Sequence, residues 1–311
     1  MSKVKNILMT CAGGGAPLFL ANSLRDTYNI VLVDAEDGNL LKHFGYTFEK
    51  VPYGNSPDFI SVLEDLCARY SIDCIVPGAD EELLPISQFC ALHPEIIAVL
   101  PSAAFIELCL NKKKLMGALA ETSISYLQGF ISPEEIRYPA IVKPIYGRGS
   151  RQVHTIHTPE ELEGYLKLYK KEFSEILVQP VISGEEYTVS VIVNNRNKII
   201  SIVPKRVIVK RGITRIAVVE EQSVIENICE MIVEKMNPCG PFNAQLKLLN
   251  GTVYIFEINP RLSTTAVLTQ KALGNEVELY IQTFNQEKVD RRGYRSGIYL
   301  YRYDENVFIE E

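Results

Sequence analysis

The segment from Phe242 to Arg261 constrains the fold of this chain more than any other feature. It reads FNAQLKLLNGTVYIFEINPR, with alternating apolar and polar residues on both sides of an Asn-Gly dipeptide at 250–251. Asn-Gly favours a tight hairpin turn, because both residues readily adopt the positive φ that such a turn requires. We therefore predict two adjacent antiparallel strands here.

The same segment carries three oxygen-bearing side chains that suit a metal ion. Glu257 and Asn259 are two positions apart on the second strand and point to one face, which Gln245 on the first strand can also reach. Mg2+ takes oxygen ligands, usually one or two carboxylates plus substrate phosphates, and an arginine such as Arg261 suits a phosphoryl group. The alternative is a half-exposed hairpin whose polar residues face water.

Composition restricts the class of protein. The 311 residues are 47% hydrophobic and 23% charged, as in a soluble globular protein with two or three modules. A net charge of −6 argues against a nucleic-acid partner. No run approaches the roughly 20 apolar residues of a membrane span. Seven cysteines without a C-x-x-C pair, and no signal-peptide pattern, favour a reducing compartment, so we expect a cytoplasmic protein.

Strands and helices alternate through the first hundred residues, which predicts a doubly wound, Rossmann-like parallel sheet. The predicted strands are Asn6–Thr10, Ile30–Asp34, Asp73–Pro77 and Ile96–Leu100. The predicted helices are Pro17–Arg25, Pro57–Tyr70 and Glu81–Leu92. The rest of the chain predicts a largely antiparallel, α+β arrangement of hairpins with helices at Pro159–Lys171, Ser223–Met236, Ser263–Leu273 and Glu276–Phe284.

A glycine cluster, Gly13–Gly15, follows the first strand, and Asp34 closes the second. This pattern is similar to a dinucleotide-binding turn, although it is not G-x-G-x-x-G. It leaves open an NAD(P)-dependent oxidoreductase, a structural turn and a small-molecule pocket. The acids at 80–82 lie where open α/β sheets bind ligands. Alternatively, they stabilise the start of a helix by interacting with the positive end of its dipole.

A second glycine cluster lies between two predicted strands. Lys143 ends the first strand, and the loop from Gly147 through Arg148 and Gly149 to Ser150 leads into the next. Glycines let backbone N–H groups approach phosphates closely, and the lysine adds a charge. The alternative is a flexible hairpin tip.

The segment ILVQPVISGEE combines apolar residues with a few polar groups, as cofactor pockets do. Val181 and Ile182 can contact an adenine while Gln179 binds its edge, and Glu186 can accept ribose hydroxyls. The alternative is a core strand followed by an exposed turn. Further on, the basic stretch at 205–214 predicts either an anion site or a charged sheet edge.

Taken in order, these motifs resemble the ATP-grasp superfamily. The order is a lysine at 112, Lys-Pro at 143, a GxGS loop, an apolar segment ending Gly-Glu-Glu, and Gln…Glu-x-Asn-Pro-Arg. The chain is most similar to the synthetase unit of the carbamoyl phosphate synthase large subunit, which has two such units where this chain carries one. Asn111 stands where that family often has an Asp before the lysine. The resemblance covers nearly the whole chain and implies segments 1–105 (a pre-ATP-grasp domain), 106–182 (a small lobe with the phosphate loop) and 183–311 (a large lobe with the metal site).

The resemblance also implies roles for individual residues. It assigns phosphate binding to Lys112, Lys143, Gly147, Gly149 and Ser150, adenine to Gln179, Val181 and Ile182, ribose to Glu186, metal to Gln245, Glu257 and Asn259, and catalysis to Lys143, Arg211 and Arg261. Thr214 accompanies Arg211 in a loop near the acceptor.

The implied cofactors are ATP and Mg2+, as one ion or two, with Mn2+ as a substitute. The implied activity is an ATP-dependent ligase that joins a small carboxylate to an amine or a related nucleophile through an acyl phosphate. A nucleotide-binding module without ligase activity is the alternative. The oligomeric state stays open, with a homodimer among the options.

Overall fold

The computed structural model of the chain describes residues 4–36, 38–147 and 149–309. Within them, three β-sheets follow one another along the sequence, the first parallel and the other two antiparallel. This confirms the predicted fold class, an α/β part followed by an α+β part. Arg148, predicted in the second glycine cluster, lies outside the described residues.

The amino-terminal sheet is built from β1 (Asn6–Met9), β2 (Asn29–Asp34), β3 (Thr47–Lys50), β4 (Cys74–Val76) and β5 (Ile97–Ala98). Its helices are α1 (Gly15–Leu24), α2 (Asn39–His43), α3 (Phe59–Tyr70) and α4 (Asp80–Leu92). The strand order is β3-β2-β1-β4-β5, so the carboxyl ends of β1 and β4 border the crevice where such sheets bind ligands.

The sequence analysis missed α2 and β3. The four residues of β3 read TFEK, lie at the sheet edge and are exposed or half-buried, so no buried apolar run marks them. The five-residue helix α2 buries only Leu41. Both elements are too short and too exposed for periodicity to reveal.

The second sheet is small and has the order β7-β6-β8. Ahead of it come α5 (Ala103–Leu110) and α6 (Lys112–Ala120), and its elements are β6 (Ala140–Pro144), β7 (His154–Ile156), α7 (Pro159–Tyr169) and β8 (Ile176–Pro180). Two single-turn 3-10 helices lie at Pro133–Glu135 and Phe173–Glu175.

The third sheet has six strands. Its elements are β9 (Glu185–Val193), β10 (Ile199–Arg211), β11 (Ile213–Val219), α8 (Ser223–Met236), β12 (Phe242–Leu249), β13 (Thr252–Asn259), α9 (Ala266–Ala272), α10 (Glu276–Thr283) and β14 (Tyr299–Tyr301). The order is β13-β12-β9-β10-β11-β14. The predicted hairpin is confirmed: Asn250 and Gly251 join β12 to β13 with φ values of 50° and 79°.

The hydrophobic cores cross the boundaries between the sheets. Helices α5, α6 and α8 pack on the six-stranded sheet, whereas α9 and α10 contribute Ala266, Val277 and Tyr280 to the core of the amino-terminal sheet. Each predicted segment, 1–105, 106–182 and 183–311, contains one sheet, and the division into domains stays a prediction. Among the helices within the described residues, none has the length and apolar character of a membrane span.

Candidate nucleotide-binding and catalytic site

A cavity of about 440 Å³ is lined by residues of both antiparallel sheets. Thirteen of the residues predicted from sequence line it: Lys112, Lys143, Gly147, Gly149, Ser150, Gln179, Ile182, Glu186, Thr214, Gln245, Glu257, Asn259 and Arg261. Among the described residues the lining carries six basic side chains and two acidic ones, so the cavity suits a polyanionic ligand.

Two predicted residues lie outside this lining. Val181 is 43% exposed, and Arg211 is exposed at the end of β10. In both cases the neighbours line the cavity instead: Pro180 and Ile182 flank the valine, and Lys210 and Gly212 flank the arginine. Side chains alternate along an extended chain, so a residue between two that face the cavity points away from it. The structure thus does not bring Val181 and Arg211 into the described lining of the cavity, and their roles stay predictions.

The candidate metal ligands form two cross-strand pairs. Gln245 on β12 stands opposite Glu257 on β13, and Asn243 stands opposite Asn259. Asn243 also lines the cavity and was missed, although its position two residues before Gln245 puts it on the same strand face. A β-bulge between these two pairs and the rest of the hairpin leaves Phe256 without a partner in the register. Bulges re-aim side chains, and Phe256 and Glu257 both line the cavity.

The chemistry of this set fits Mg2+. Glu257 and Asn259 line the cavity and their side chains form no hydrogen bond or ion pair with a described residue, while Asn243 Oδ1 accepts the Thr188 hydroxyl at 2.8 Å. No group of three or more His, Cys, Asp or Glu side chains that could hold a metal occurs among the residues the structure describes. One carboxylate with amide oxygens and room for phosphates is typical of Mg2+ rather than of a thiolate- or imidazole-bound metal.

Lys143 is a buried cation at the centre of the cavity. It is 4% exposed, and its Nζ donates to the carbonyl of Phe256 at 3.1 Å and lies 5.4 Å from the centre of the Phe256 ring. Desolvation lowers the pKa of Lys143 to about 8, partly offset by the Glu257 carboxylate. A buried ammonium beside an unpaired carboxylate is suited to an incoming polyphosphate and its cation.

Lys112 ties the glycine-rich loop to α6. Its Nζ donates to the Gly147 carbonyl at 2.8 Å, and the preceding Asn111 caps α6 and donates to the Tyr146 hydroxyl at 2.9 Å. At the loop's far end, Ser150 Oγ donates to the Gly212 carbonyl at 3.1 Å, in the turn between β10 and β11. Gly147 and Ser150 are thus both hydrogen-bonded to other residues of the cavity lining. The φ of Gly149, 65°, is one that glycine adopts without strain.

The segment predicted to bind adenine lies at the apolar end of the cavity with Leu127 and Ile141. Gln179 is 2% exposed, and its Nε2 donates to the Leu127 carbonyl. This contact fixes the orientation of the amide, which leaves its oxygen as the acceptor for a ligand. Nearby, Glu186 pairs with Lys210 at 2.7 Å, and Lys210 Nζ is 3.5 Å from Gln245 Oε1.

Arg261 is bound by a residue of the amino-terminal module, which is the parallel sheet with its helices α1 to α4. Its Nε donates to Asp80 Oδ1 at 2.6 Å, and the two side chains are 14% and 15% exposed. Asp80 is the first residue of α4, at the carboxyl end of the parallel sheet. The sequence pattern alone connected the acids at 80–82 with a ligand site or a helix start, and it did not connect them with Arg261.

A second arginine lies beside the same end of the cavity. Arg302 follows β14 and donates to the carbonyl of Thr264, which lines the cavity. Its Nε is buried and has no hydrogen-bond partner within the described part of the chain. Burial and the nearby Arg215 lower the pKa of Arg302. The sequence analysis missed Arg302, because nothing in GIYLYRY distinguishes it from an exposed charge on an edge strand.

The first glycine cluster has a structural explanation. Asp34 accepts the backbone N–H of Gly13 at 2.7 Å and that of Glu36 at 3.0 Å. Its carboxylate therefore stabilises the turn after β1, and these bonds favour a structural turn over a dinucleotide-binding one.

Comparison with known proteins gives a family match over part of the chain. Residues 172–305 match a family described as "ATP-grasp in the biosynthetic pathway with Ter operon". This range contains β9 to β13 and with them Gln245, Glu257, Asn259 and Arg261.

Solved structures match nearly the whole chain at low sequence identity. Biotin carboxylase from Campylobacter jejuni, in complex with β,γ-ATP, has a TM-score of 0.74 at 16% identity, over 95% of this chain and 74% of its own. N5-carboxyaminoimidazole synthetase from Staphylococcus aureus, complexed with ADP, has a TM-score of 0.72 at 15% identity, over 94% and 80%. L-amino acid ligase from Bacillus licheniformis has a TM-score of 0.67 at 18% identity, over 91% and 74%.

Proposed function

We propose that this chain, which has the ATP-grasp fold, is an ATP- and Mg2+-dependent ligase that joins a carboxylate to an amine or a related nucleophile. One observation carries the proposal. In a single cavity, two buried lysines and a glycine-rich loop lie beside the Glu257 carboxylate, the amide side chains of Asn243, Gln245 and Asn259, and Arg261. Phosphoryl transfer depends on positioning and charge neutralisation more than on covalent catalysis, and these groups supply both.

In the proposed reaction, a carboxylate oxygen of the substrate attacks the γ-phosphorus of ATP. The bond to the bridging oxygen breaks, ADP leaves, and an acyl phosphate forms. The amine nitrogen then attacks the carbonyl carbon, the bond from that carbon to the phosphate oxygen breaks, and inorganic phosphate leaves with the bonding electron pair while the nitrogen loses a proton to the phosphate or to water.

The residues have separate roles. Lys112 and Lys143 hold the phosphates together with the loop from Gly147 to Ser150. Gln179 and Ile182 bind adenine, and Glu186 binds ribose after releasing Lys210. Closure of the loop over the cavity would exclude the water that otherwise hydrolyses the acyl phosphate.

Gln245, Glu257 and Asn259, with Asn243, would hold Mg2+, which neutralises phosphate charge when bound. Mn2+ is expected to substitute, because it takes the same oxygen ligands. Arg261 steadies the transferring phosphoryl group.

Amino acids are reasonable first acceptors, since one protein of similar structure is an L-amino acid ligase. The test is incubation of the protein with ATP, Mg2+ and pooled amino acids and small carboxylates, with measurement of ADP release and of new masses. The expected result is ADP formation that requires both a carboxylate and a nucleophile. MgATP binding without ADP release in any mixture would instead identify a non-catalytic nucleotide-binding module. Thermal stabilisation by NAD(P)(H) and not by MgATP would contradict both.

A further inference from the structure

We propose that Asp80, in the amino-terminal module, is a positioning residue that holds Arg261 for phosphoryl transfer. The inference rests on the proposed function, in which Arg261 steadies the transferring phosphoryl group. It means that the amino-terminal module takes part in catalysis through Arg261, even though the described residues that line the cavity all lie between positions 112 and 264.

Three hydrogen bonds fix Arg261 and leave part of its guanidinium group free. Nε donates to Asp80 Oδ1 at 2.6 Å, Nη1 donates to the Leu262 carbonyl at 3.1 Å, and the backbone N–H donates to the Asn259 carbonyl at 2.8 Å. The remaining nitrogen, Nη2, donates to no described residue. Arg261 lines the cavity, so its guanidinium keeps N–H donors available for an anion. The contacts with Asp80 and Leu262 fix the orientation of the group.

The Asp80 end of the contact is rigid. Glu82, two residues along α4, accepts the N–H of Ala79 at 3.2 Å and the hydroxyl of Thr10. These bonds tie the first turn of α4 to the end of β1. The same helix buries Leu83 completely in the core of the parallel sheet.

The Arg261 end is anchored to the same module. The chain leaves β13 at Asn259 and enters α9 at Ala266, and α9 packs on α1 and contributes to the amino-terminal core. Asp80 and Arg261, 181 residues apart, are thus held by elements that pack on the same parallel sheet, α4 in the cluster that contains Leu83 and α9 in the cluster that contains Ala266. Relative movement of the two side chains would require one of these clusters to repack.

Charge explains why an arginine here needs a carboxylate partner. Lys112 and Lys143 line the same cavity and repel the guanidinium before an anion binds. An unrestrained arginine also has several rotamers, and fixing one of them costs side-chain entropy. Asp80 offsets the repulsion and selects one orientation. Displacement of a positioned group by about 1 Å can reduce a rate by about 10²-fold.

The experiment compares wild type with Asp80→Asn, Asp80→Glu, Arg261→Ala and the double variant Asp80→Asn/Arg261→Ala. Asp65→Asn, which removes an exposed carboxylate of the same module, is the matched control. For each protein, kcat and KM are measured from ADP release. Affinities for MgADP and for MgADP with aluminium fluoride, which mimics a phosphoryl group in transfer, are measured by calorimetry, and the thermal midpoint is recorded.

We expect Asp80→Asn to lower kcat and the affinity for MgADP–aluminium fluoride by about 10- to 100-fold, with unchanged MgADP affinity. Asp80→Glu should recover part of the loss. In the Arg261→Ala background, Asp80→Asn should have no further effect, because a residue that acts through Arg261 cannot act in its absence.

Other outcomes would overturn the inference. If Asp80→Asn lowers the thermal midpoint and leaves kcat unchanged, or if the two losses multiply in the double variant, Asp80 does not position Arg261. Wild-type turnover together with an unaffected Asp80→Asn variant rejects this inference and leaves the proposed function intact. A wild-type protein that binds no magnesium nucleotide rejects the proposed function and the inference together.

Discussion

Gln245 and Glu257 stand directly opposite each other on β12 and β13 and line the same cavity. Side chains at opposed positions on one face of an antiparallel pair begin about 4.5–5.5 Å apart, so one ion can contact both. The hairpin turn at Asn250 and Gly251 sets the register of the strand ends next to it, and the bulge at Phe256 then shifts the register by one residue, so that Gln245 faces Glu257. The turn and the bulge together therefore determine the geometry of the candidate metal site.

The first prediction concerns Glu257. Replacement of Glu257 by Gln or Ala should reduce ADP formation by about 10²–10³-fold or more, as expected for the loss of a charge-stabilising group. The loss should persist when Mn2+ replaces Mg2+, since both ions need the carboxylate. Steady-state rates over a range of each metal concentration measure the effect. Glu234→Gln, which alters an exposed surface carboxylate, serves as the control. A Glu257→Ala variant with near-normal turnover would remove the metal site from the proposal.

The second prediction concerns Lys143. Lys143→Gln should weaken ATP binding by about 10- to 100-fold, because a hydrogen-bonded charge contact contributes roughly 1.5–3 kcal/mol. Calorimetric titration with MgATP at neutral pH, below the lowered pKa of Lys143, measures the change. Lys114→Gln is the control, since Lys114 is an exposed lysine on α6. Equal affinities for wild type and Lys143→Gln would exclude a phosphate-binding role.

Much of this molecule follows from local sequence signals. The predicted helix Ser223–Met236 coincides with α8, because its apolar residues recur with helical period around the buried Ile225, Cys229 and Ile232. The hairpin follows from Asn250 and Gly251. Both features depend on residues that are close together in the chain, so the sequence is enough to predict them.

Contacts between distant segments were not predictable in the same way. Asp80 meets Arg261 across 181 residues, and no local pattern marks either residue as the partner of the other. Similarly, Arg302 contacts Thr264 because β14 pairs with β11 at the edge of the sheet, and the sequence does not show this pairing. The catalytic role predicted for Arg211 came from the family resemblance, which does not show where its side chain points. The direction of its side chain depends on the irregular register of β10 beside β11.

The third prediction concerns Arg302. It is a half-buried arginine that contacts Thr264 of the cavity lining, and its buried Nε has no hydrogen-bond partner among the described residues. No carboxylate contributes to the shift of its pKa, which burial and Arg215 lower. We therefore expect Arg302 to favour an anionic substrate, so Arg302→Gln should raise the KM of the carboxylate by about 10-fold or more. MgATP affinity should stay unchanged.

The control for this prediction is Arg215→Gln, which alters the neighbouring arginine that pairs with the exposed Asp304 at 3.1 Å. Both variants are compared by initial rates over a range of carboxylate concentrations at saturating MgATP. An unchanged KM in Arg302→Gln would mean that Arg302 only supports the Thr264 backbone.

The last prediction concerns stability and Lys205, which lies outside the cavity lining. Lys205 is fully buried, and its Nζ donates to the Ser190 hydroxyl and to Thr269 Oγ1 at 2.8 Å. Ser190 in turn donates to Glu276 at 2.6 Å, so the network ties β9 and β10 to α9 and α10. Desolvation lowers the pKa of Lys205 to about 8, and Glu276 offsets part of that effect.

This lowered pKa determines the sign of a pH effect. Between about pH 8 and the ordinary lysine value near 10.4, the unfolded chain holds a proton at this position that the folded protein has released. The free energy of unfolding therefore gains a contribution that rises with pH by up to about 1.4 kcal/mol per unit in this window. Buried tyrosines with raised pKa values act in the opposite direction. The contribution of Lys205 is therefore measured as the difference in unfolding free energy between wild type and a variant that lacks this lysine. Urea unfolding of wild type and Lys205→Met from pH 7.5 to 10 should show that wild type gains stability relative to the variant as pH rises. A constant difference across this range would mean that Lys205 titrates alike in the folded and unfolded states.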